Sequence, residues 1–373
     1  MTKKKVIIFV DLKKTGGVET VFSEILPFLA KNYNLLIVSK DTIPSLFQTV
    51  FEKLQVKSVS ANSVKFRIFN IFSYLLYKIK LKYLIPRKIH NFVPDLMVDF
   101  KDGAFYKFRR VKINSPKILW IHQGWKAVKE NKKLDFRFYD KIVVLTKSLK
   151  SKLSSVYPEY KNKFVSIYNP VDFEKILTLS KIEKKDNLKD YFCSVCRLTK
   201  DKDIKTLIDA FDIFKKEVKS LTKLVIIGDG CEKYNFIEYA KGKSSYNDIL
   251  FLGNKENPYP YMKDTKAVIL SSPSEGLGMV LIEALICSNG VVVSSDCPNG
   301  PKEVLMDGKS GVLFPVGDYQ KLSDILLDIE NKKITRNSFS SFIPENLQRF
   351  SKEKIEKECF DLFNNLIKES KNE

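Results

Sequence analysis

Short apolar runs rich in β-branched residues alternate with helical stretches along almost the whole chain, and this alternation narrows the fold more than any other feature. A parallel strand needs a crossover before the next one can pair, so repeated strand–helix units predict a parallel α/β layer structure. Strands are expected at 6–10, 35–39, 96–99, 117–121 and 142–145, and again at 191–195, 223–227, 249–252, 267–270, 291–294 and 312–314. Helices are expected between them, for instance over 204–218 and 280–287, with an amphipathic helix over 352–368. A chain of 373 residues is long for one hydrophobic core, so two such layers are the natural organisation. The break falls in the charged stretch 182–190. That gives a first domain over 1–180, a second over 190–345 and a terminal segment over 346–373.

Ligands of open α/β sheets bind beyond the carboxyl ends of strands. Gly16 and Gly17, Arg197, the Gly228 loop, Leu252 and Gly253, and the segment from Ser272 to Gly278 each follow an expected strand. The most informative stretch is Pro273-Ser-Glu-Gly-Leu-Gly-Met-Val-Leu-Ile-Glu-Ala-Leu285, in which Glu275 and Glu283 bracket the opening of a helix. Free backbone N–H groups at such a junction make an anion site. A carboxylate beside it cannot hold a phosphate, but it can accept hydrogen bonds from hydroxyls. Glu283 shares its helical face with Val280 and with Ile286–Cys287, so it is expected to be half-buried and in need of a partner. A phosphate-binding turn between two hydroxyl-gripping carboxylates suits a nucleotide sugar.

The segment Ser272-x-x-Glu275-Gly-x-Gly278-x-x-x-x-Glu283-Ala284 resembles the signature of the retaining family 4 glycosyltransferases, which have the GT-B fold. Further matches follow in the family's order: Thr15-Gly-Gly-Val-Glu19, Asn169-Pro-Val-Asp172, Cys196-Arg-Leu-Thr-Lys-Asp-Lys202, Ile227-Gly-Asp-Gly230, Phe251-Leu-Gly253, Asp296-Cys-Pro-Asn-Gly-Pro-Lys-Glu303 and Asp307-Gly-Lys-Ser-Gly311. The resemblance implies two facing Rossmann-like domains with a cleft between them and a last helix crossing back to the first. It implies that Arg197 and Lys202 hold the donor diphosphate, Glu283 the ribose, and Glu275 the hydroxyls of the transferred sugar. Gly16, Gly17, Gly253, Gly276, Leu277 and Gly278 would complete the donor site, and His122 in Ile-His-Gln-Gly-Trp125 would face the donor sugar. Catalysis would then rest on Glu275, His122, Arg197 and Lys202. They would stabilise leaving-group charge and position the acceptor, with retention and no protein nucleophile. Asp201 and Asp203 spell D-x-D inside the Arg/Lys motif, where two cations already face the phosphates. No metal and no cofactor are expected beyond the UDP-sugar itself.

The formal net charge of +20 is unevenly placed. Residues 1–175 hold 34 basic and 14 acidic residues, whereas 176–373 hold 30 of each. An anionic partner for the first half alone is the simplest reason, either nucleic acid or an acidic membrane surface. Within 64–90 basic residues interleave with aromatics and no acid occurs, which suits an interfacial segment contacting anionic lipid through Lys78, Lys80 and Lys82. A core helix with a basic edge is the rival for that stretch. His90 is expected on the surface. No apolar run approaches the ~20 residues of a membrane span. Cys193-Ser-Val-Cys196 lies on an expected strand without a second pair, so buried thiols are expected rather than a redox or metal site.

These features point to a retaining glycosyltransferase that moves a hexose or N-acetylhexosamine from a UDP-sugar to a hydroxyl of a glycan, with a polyprenyl-diphosphate-linked acceptor, in bacterial surface polysaccharide synthesis. It would be cytoplasmic, peripheral at the inner face of the membrane, with no nucleic-acid partner. A soluble glycan synthase or a nucleotide-sugar epimerase of the same fold is the nearest rival. A basic nucleic-acid-binding protein is the rival from another class; it explains the charge but not Glu275 and Glu283.

Overall fold

Val6, Ile7, Ile8 and Phe9 are all fully buried at successive positions, so both faces of the first strand are covered. That is why it reads as an unbroken apolar run and not as an alternating one. The computed structural model describes residues 2–12, 16–39, 41–60, 80–108, 114–132, 134–184 and 186–372. The chain divides into two units, Met1–Val171 with Lys352–Glu373, and Asp172–Ser351.

In the first unit the strands are β1 (Lys5–Phe9), β2 (Asn34–Ser39), β3 (Lys57–Ser60), β4 (Leu96–Asp99), β5 (Lys117–Ile121), β6 (Lys141–Val144) and β7 (Phe164–Ser166). They form one sheet in the order β3-β2-β1-β4-β5-β6-β7, and every pairing is parallel. In the second unit the strands are β8 (Tyr191–Val195), β9 (Lys223–Ile227), β10 (Ile249–Gly253), β11 (Ala267–Leu270), β12 (Val291–Ser295) and β13 (Val312–Phe314). Their order is β10-β9-β8-β11-β12-β13, again all parallel. Both are Rossmann-like α/β layers. The order reverses between β1 and β4 in the first sheet and between β8 and β11 in the second, and such reversals are where open sheets bind ligands.

The sequence misses β3 and β7, both edge strands. Each is covered on one side only and partly exposed, so neither carries a long apolar run. The domain boundary also differs from the expected 182–190. Helix Phe173–Ser180 is N-capped by Asp172, packs on helices Tyr259–Lys263 and Met279–Cys287, and accepts the Asn257 amide at the Leu179 carbonyl (2.8 Å). It therefore belongs to the second unit. At the other end, helix Ile343–Gln348 stays with the second unit, where the Asn346 amide reaches the Val304 carbonyl at 2.7 Å.

The last helix, Lys352–Asn372, belongs to the first unit. Ile355, Cys359, Phe363, Leu366 and Ile367 are buried at helical spacing, and the Phe363 ring lies 5.7 Å from that of Tyr33. Lys371 pairs with Asp95 at 3.1 Å. Of the basic stretch 64–90, the structure describes 80–90, and Lys78 lies outside the described residues, as does the side chain of Lys80. Helix Ile85–Phe92 buries Ile85, Ile89 and Phe92 in the core while Arg87, Lys88 and His90 are exposed. Among the described residues no helix is long and apolar enough to cross a membrane.

Candidate functional site

The second unit gathers its chemistry where its sheet order reverses. β8 runs into Cys196 and Arg197, and a short turn over Lys200–Lys202 then leads to helix Ile204–Glu217. β11 runs into Ser271 and the loop to Gly278, whose left-handed backbone (φ 81°) opens helix Met279–Cys287. Because β8 and β11 are neighbours, Lys202 and Glu275, 73 residues apart, meet at 2.5 Å, with side chains only 12% and 13% exposed. The Ser271 hydroxyl donates to the Lys202 carbonyl at 3.0 Å and fixes the turn from below. The two residues expected to grip different parts of a donor are therefore paired with each other. The pair is one carboxylate and one ammonium that hydroxyls and phosphate oxygens can share.

Arg197 is exposed, and against the cost of burial the Thr199 hydroxyl, then the Lys202 charge and least of all that of Arg197 hold Asp201 below the usual carboxylate range. The glycine turns do not strain to hold this region together. A Cβ at Gly228 would lie 1.8 Å from the Cys196 carbonyl oxygen and one at Gly230 2.3 Å from that of Leu198, so the turn after β9 lies flat on the Arg197 loop. A Cβ at Gly300 would meet the Leu277 carbonyl oxygen at 2.3 Å, and Asn299 bridges to Glu275 through the backbone. Gly253, with φ 67°, ends β10 close to the Lys233 ammonium. The loops after β8, β9, β10, β11 and β12 thus meet at one sheet edge. Gly276 and Leu277 lie between Glu275 and Gly278 in the innermost of them.

Glu283 stands one and a half turns into helix Met279–Cys287, on the stripe Val280, Glu283 and Ile286 that is only partly covered. Among the described residues no group donates to its carboxyl, and desolvation pushes it up to about 7. The side chain as a whole is not sealed off, so the carboxyl is screened by protein yet reachable. A carboxylate that has lost water and found no donor is primed to accept hydroxyls.

In the first unit, Gly16 and Gly17 open helix Gly17–Asn32. Gly16 is extended and unstrained (φ 164°), and a Cβ there would meet the far end of the Glu19 side chain, 2.3 Å from Oε2. Among the described residues nothing crowds Gly17. Glu19 is buried and pairs with Lys101 at 2.7 Å, and Lys101 also donates to the Asp11 carbonyl. Sequence reasoning missed this pair, which occupies the reversal between β1 and β4 as Lys202 and Glu275 occupy the one between β8 and β11. His122 follows β5 with its ring stacked on Trp120 (6.2 Å, 6° between planes) and close to Phe100 (4.8 Å). Burial pushes it down to about 3, against the opposing Phe100 carbonyl, so the imidazole is neutral at working pH. Both ring nitrogens are covered and make no well-formed hydrogen bond among the described residues.

All six cysteines are free; Cys193 is buried, Cys196 partly so, and burial pushes both thiols up. Among the described residues no cluster of His, Cys, Asp and Glu could hold a metal ion.

Residues 176–345 match the family model described as glycosyl transferases group 1. The chain is 28% identical over 349 residues to an N-acetylgalactosamine-N,N'-diacetylbacillosaminyl-diphospho-undecaprenol 4-alpha-N-acetylgalactosaminyltransferase of Campylobacter jejuni, covering 90% of this chain and 93% of that protein. It is 30% identical over 252 residues to an uncharacterized glycosyltransferase of Methanocaldococcus jannaschii, covering 61% of this chain and 62% of the relative, just under two-thirds of either. Among solved structures, Anabaena HepE in complex with UDP matches with a TM-score of 0.76 at 18% identity, over 98% of this chain and 100% of that one. At that identity the likeness establishes the fold, GT-B.

Proposed function

Since residues 176–345 match the group 1 glycosyl transferase family model, we propose that the chain moves a hexose or N-acetylhexosamine, with retention, from a UDP-sugar to a hydroxyl of a lipid-linked glycan in bacterial polysaccharide synthesis. The observation that carries the donor assignment is Glu283, a desolvated carboxyl pushed up to about 7 with no donor among the described residues. A vicinal ribose diol supplies two such donors. In this reading Arg197 and Lys202 hold the diphosphate and take up the charge that develops as it departs. Glu275, released from part of its bond to Lys202, orients the sugar hydroxyls. His122 serves as an uncharged contact to the sugar, and the turns at Gly16, Gly17, Gly253 and Gly276 to Gly278 bring backbone N–H groups close. No metal enters the scheme, because the two cations offset the leaving charge.

The acceptor assignment rests on the Campylobacter relative, whose name specifies an undecaprenol-diphosphate-linked acceptor, and on the basic first half. We extend it to peripheral attachment at the inner face of the cell membrane. In support, Lys82, Arg87 and Lys88 are exposed beside exposed Tyr83 and Leu84, with the Lys82 ammonium 5.1 Å from the Tyr83 ring centre.

The deciding experiment is a thermal-shift screen of UDP-sugars, followed by NMR of the product's anomeric configuration with and without chelator. UDP should stabilise the parent, the anomer should be retained, and chelator should leave turnover intact. Stabilisation by no uridine nucleotide would end the donor assignment, and an inverted product or a strict metal requirement would end the mechanism.

A further inference from the structure

The loop after β4 contains adjacent residues whose side chains diverge toward different neighbours. β4 lies between β1 and β5 in the sheet, so its loop can reach the loops that follow both. Lys101 reaches one way, donating to Glu19 (2.7 Å) and to the Asp11 carbonyl in the stretch after β1. Asp102 reaches the other way: its Oδ1 accepts the backbone N–H of His122 at 3.0 Å, just after β5. Asp102 adopts a left-handed backbone (φ 47°), uncommon for a residue with a Cβ. The rest of Asp102 is also committed. Its N–H donates to the Trp120 carbonyl (3.3 Å) and its carbonyl accepts the Asn131 amide (3.0 Å). Three residues earlier, Asp99 steadies the same loop by accepting the N–H groups of Ala104 (2.8 Å) and Phe105 (3.0 Å) and the Tyr139 hydroxyl (2.8 Å).

We propose that Lys101 and Asp102 act together as positioning residues: Lys101 sets the Gly16–Gly17 turn through Glu19, and Asp102 sets the His122 loop through the His122 backbone N–H. The Glu19 carboxylate lies where a Gly16 side chain would be, so moving Lys101 moves the floor of the turn. The His122 ring is wedged between Trp120 and Phe100, so its orientation follows its backbone. A turn aspartate with a merely structural role would hold the loop without bearing on the imidazole. The link to turnover rests on the glycosyl-transfer reading above; the link to His122 does not.

The chain has only two histidines, one of them the exposed His90, so the His122 ring can be followed by NMR in the full-length protein. Asp102→Gly deletes the acceptor while suiting the left-handed backbone, and Asp102→Asn keeps an accepting oxygen at a position Asn tolerates. In the parent His122 should titrate near 3. In Asp102→Gly it should move toward the ordinary value of about 6.5, and Asp102→Asn should restore the parental resonance. With a UDP-sugar turned over by the parent, Asp102→Gly should lower kcat by about ten- to a hundredfold, as misplacement of a contact does, with UDP affinity unchanged. An unaltered His122 resonance in Asp102→Gly overturns the positioning of the ring. A displaced resonance with parental kcat and KM overturns its bearing on turnover. If the parent turns over no UDP-sugar, the reaction reading has failed and the NMR comparison still decides the positioning.

Discussion

Donor binding should depend on pH through one residue. Glu283 is held up to about 7 by desolvation, and the proposed ribose contact uses its ionised form, which accepts two hydroxyl hydrogen bonds. At pH 8 about nine-tenths of the carboxyls are ionised and at pH 6 about one-tenth, so the Kd should rise about tenfold between them, ~1.4 kcal/mol. Calorimetric titration with UDP-glucose suits the measurement, because its diphosphate diester does not titrate in this range, unlike the terminal phosphate of UDP. Glu283→Gln should bind more weakly at pH 8, by about 1 kcal/mol as charged hydrogen bonds become neutral ones, and should lose the pH slope. The apo protein supplies a sign control. A carboxyl raised from 4.5 to about 7 on folding keeps its proton longer in the native state. Its favourable contribution is complete below the unfolded value and is lost as pH rises through 7. The parent's Tm should therefore fall from pH 5 to pH 7.5 relative to that of Glu283→Gln. Asp99 and Asp102, raised by burial to about 6 and about 7, act in the same direction in both proteins and cancel in the comparison. Equal pH slopes for parent and Glu283→Gln in UDP-glucose binding would refute the ribose assignment.

Arg197→Ala should cut kcat by about two orders of magnitude with little change in Tm, because Arg197 is exposed; parental turnover would remove it from the diphosphate site. Lys202→Ala should cut kcat similarly and also lower Tm, since it leaves the poorly exposed Glu275 unpaired. Changing Lys78, Lys80 and Lys82 to Gln should release the protein from anionic vesicles in flotation at an unchanged Tm, each charge being worth about 1 kcal/mol; unchanged flotation with a lowered Tm would mean the segment only completes the fold. Phe363→Ala should destabilise by about 3–5 kcal/mol in denaturant titration, because its ring is fully buried against Tyr33; a loss within error would show the last helix to be loosely held.

Much of the fold is legible in the sequence because central parallel strands, covered on both faces, must be apolar throughout. Edge strands escape that demand, which is why Lys57–Ser60 and Phe164–Ser166 go unnoticed. The chemistry of single loops is legible for a related reason: Gly278 marks the start of its helix, and Arg197 and Glu275 each follow a strand. What joins those loops is not legible. Lys202 and Glu275 are 73 residues apart, and Lys101 and Glu19 are 82 apart. Only strand order makes them neighbours. Gly16 shows the opposite hazard. Its glycine suggests room for phosphate, whereas the space is taken by the carboxylate of Glu19.

The first unit is built from both ends of the chain, with the whole of Asp172–Ser351 inserted between them. On the ribosome, the inserted unit can complete its sheet while the first still lacks Lys352–Asn372. Tyr33, 3% exposed in the finished fold, would meanwhile lack the partner ring of Phe363. Synthesis therefore imposes an order: the half carrying Glu275 and Glu283 can mature first, and the basic half closes only when the last helix arrives. A chain stopped at Ser351 would carry the inserted unit intact beside a half left with apolar surface open to aggregation.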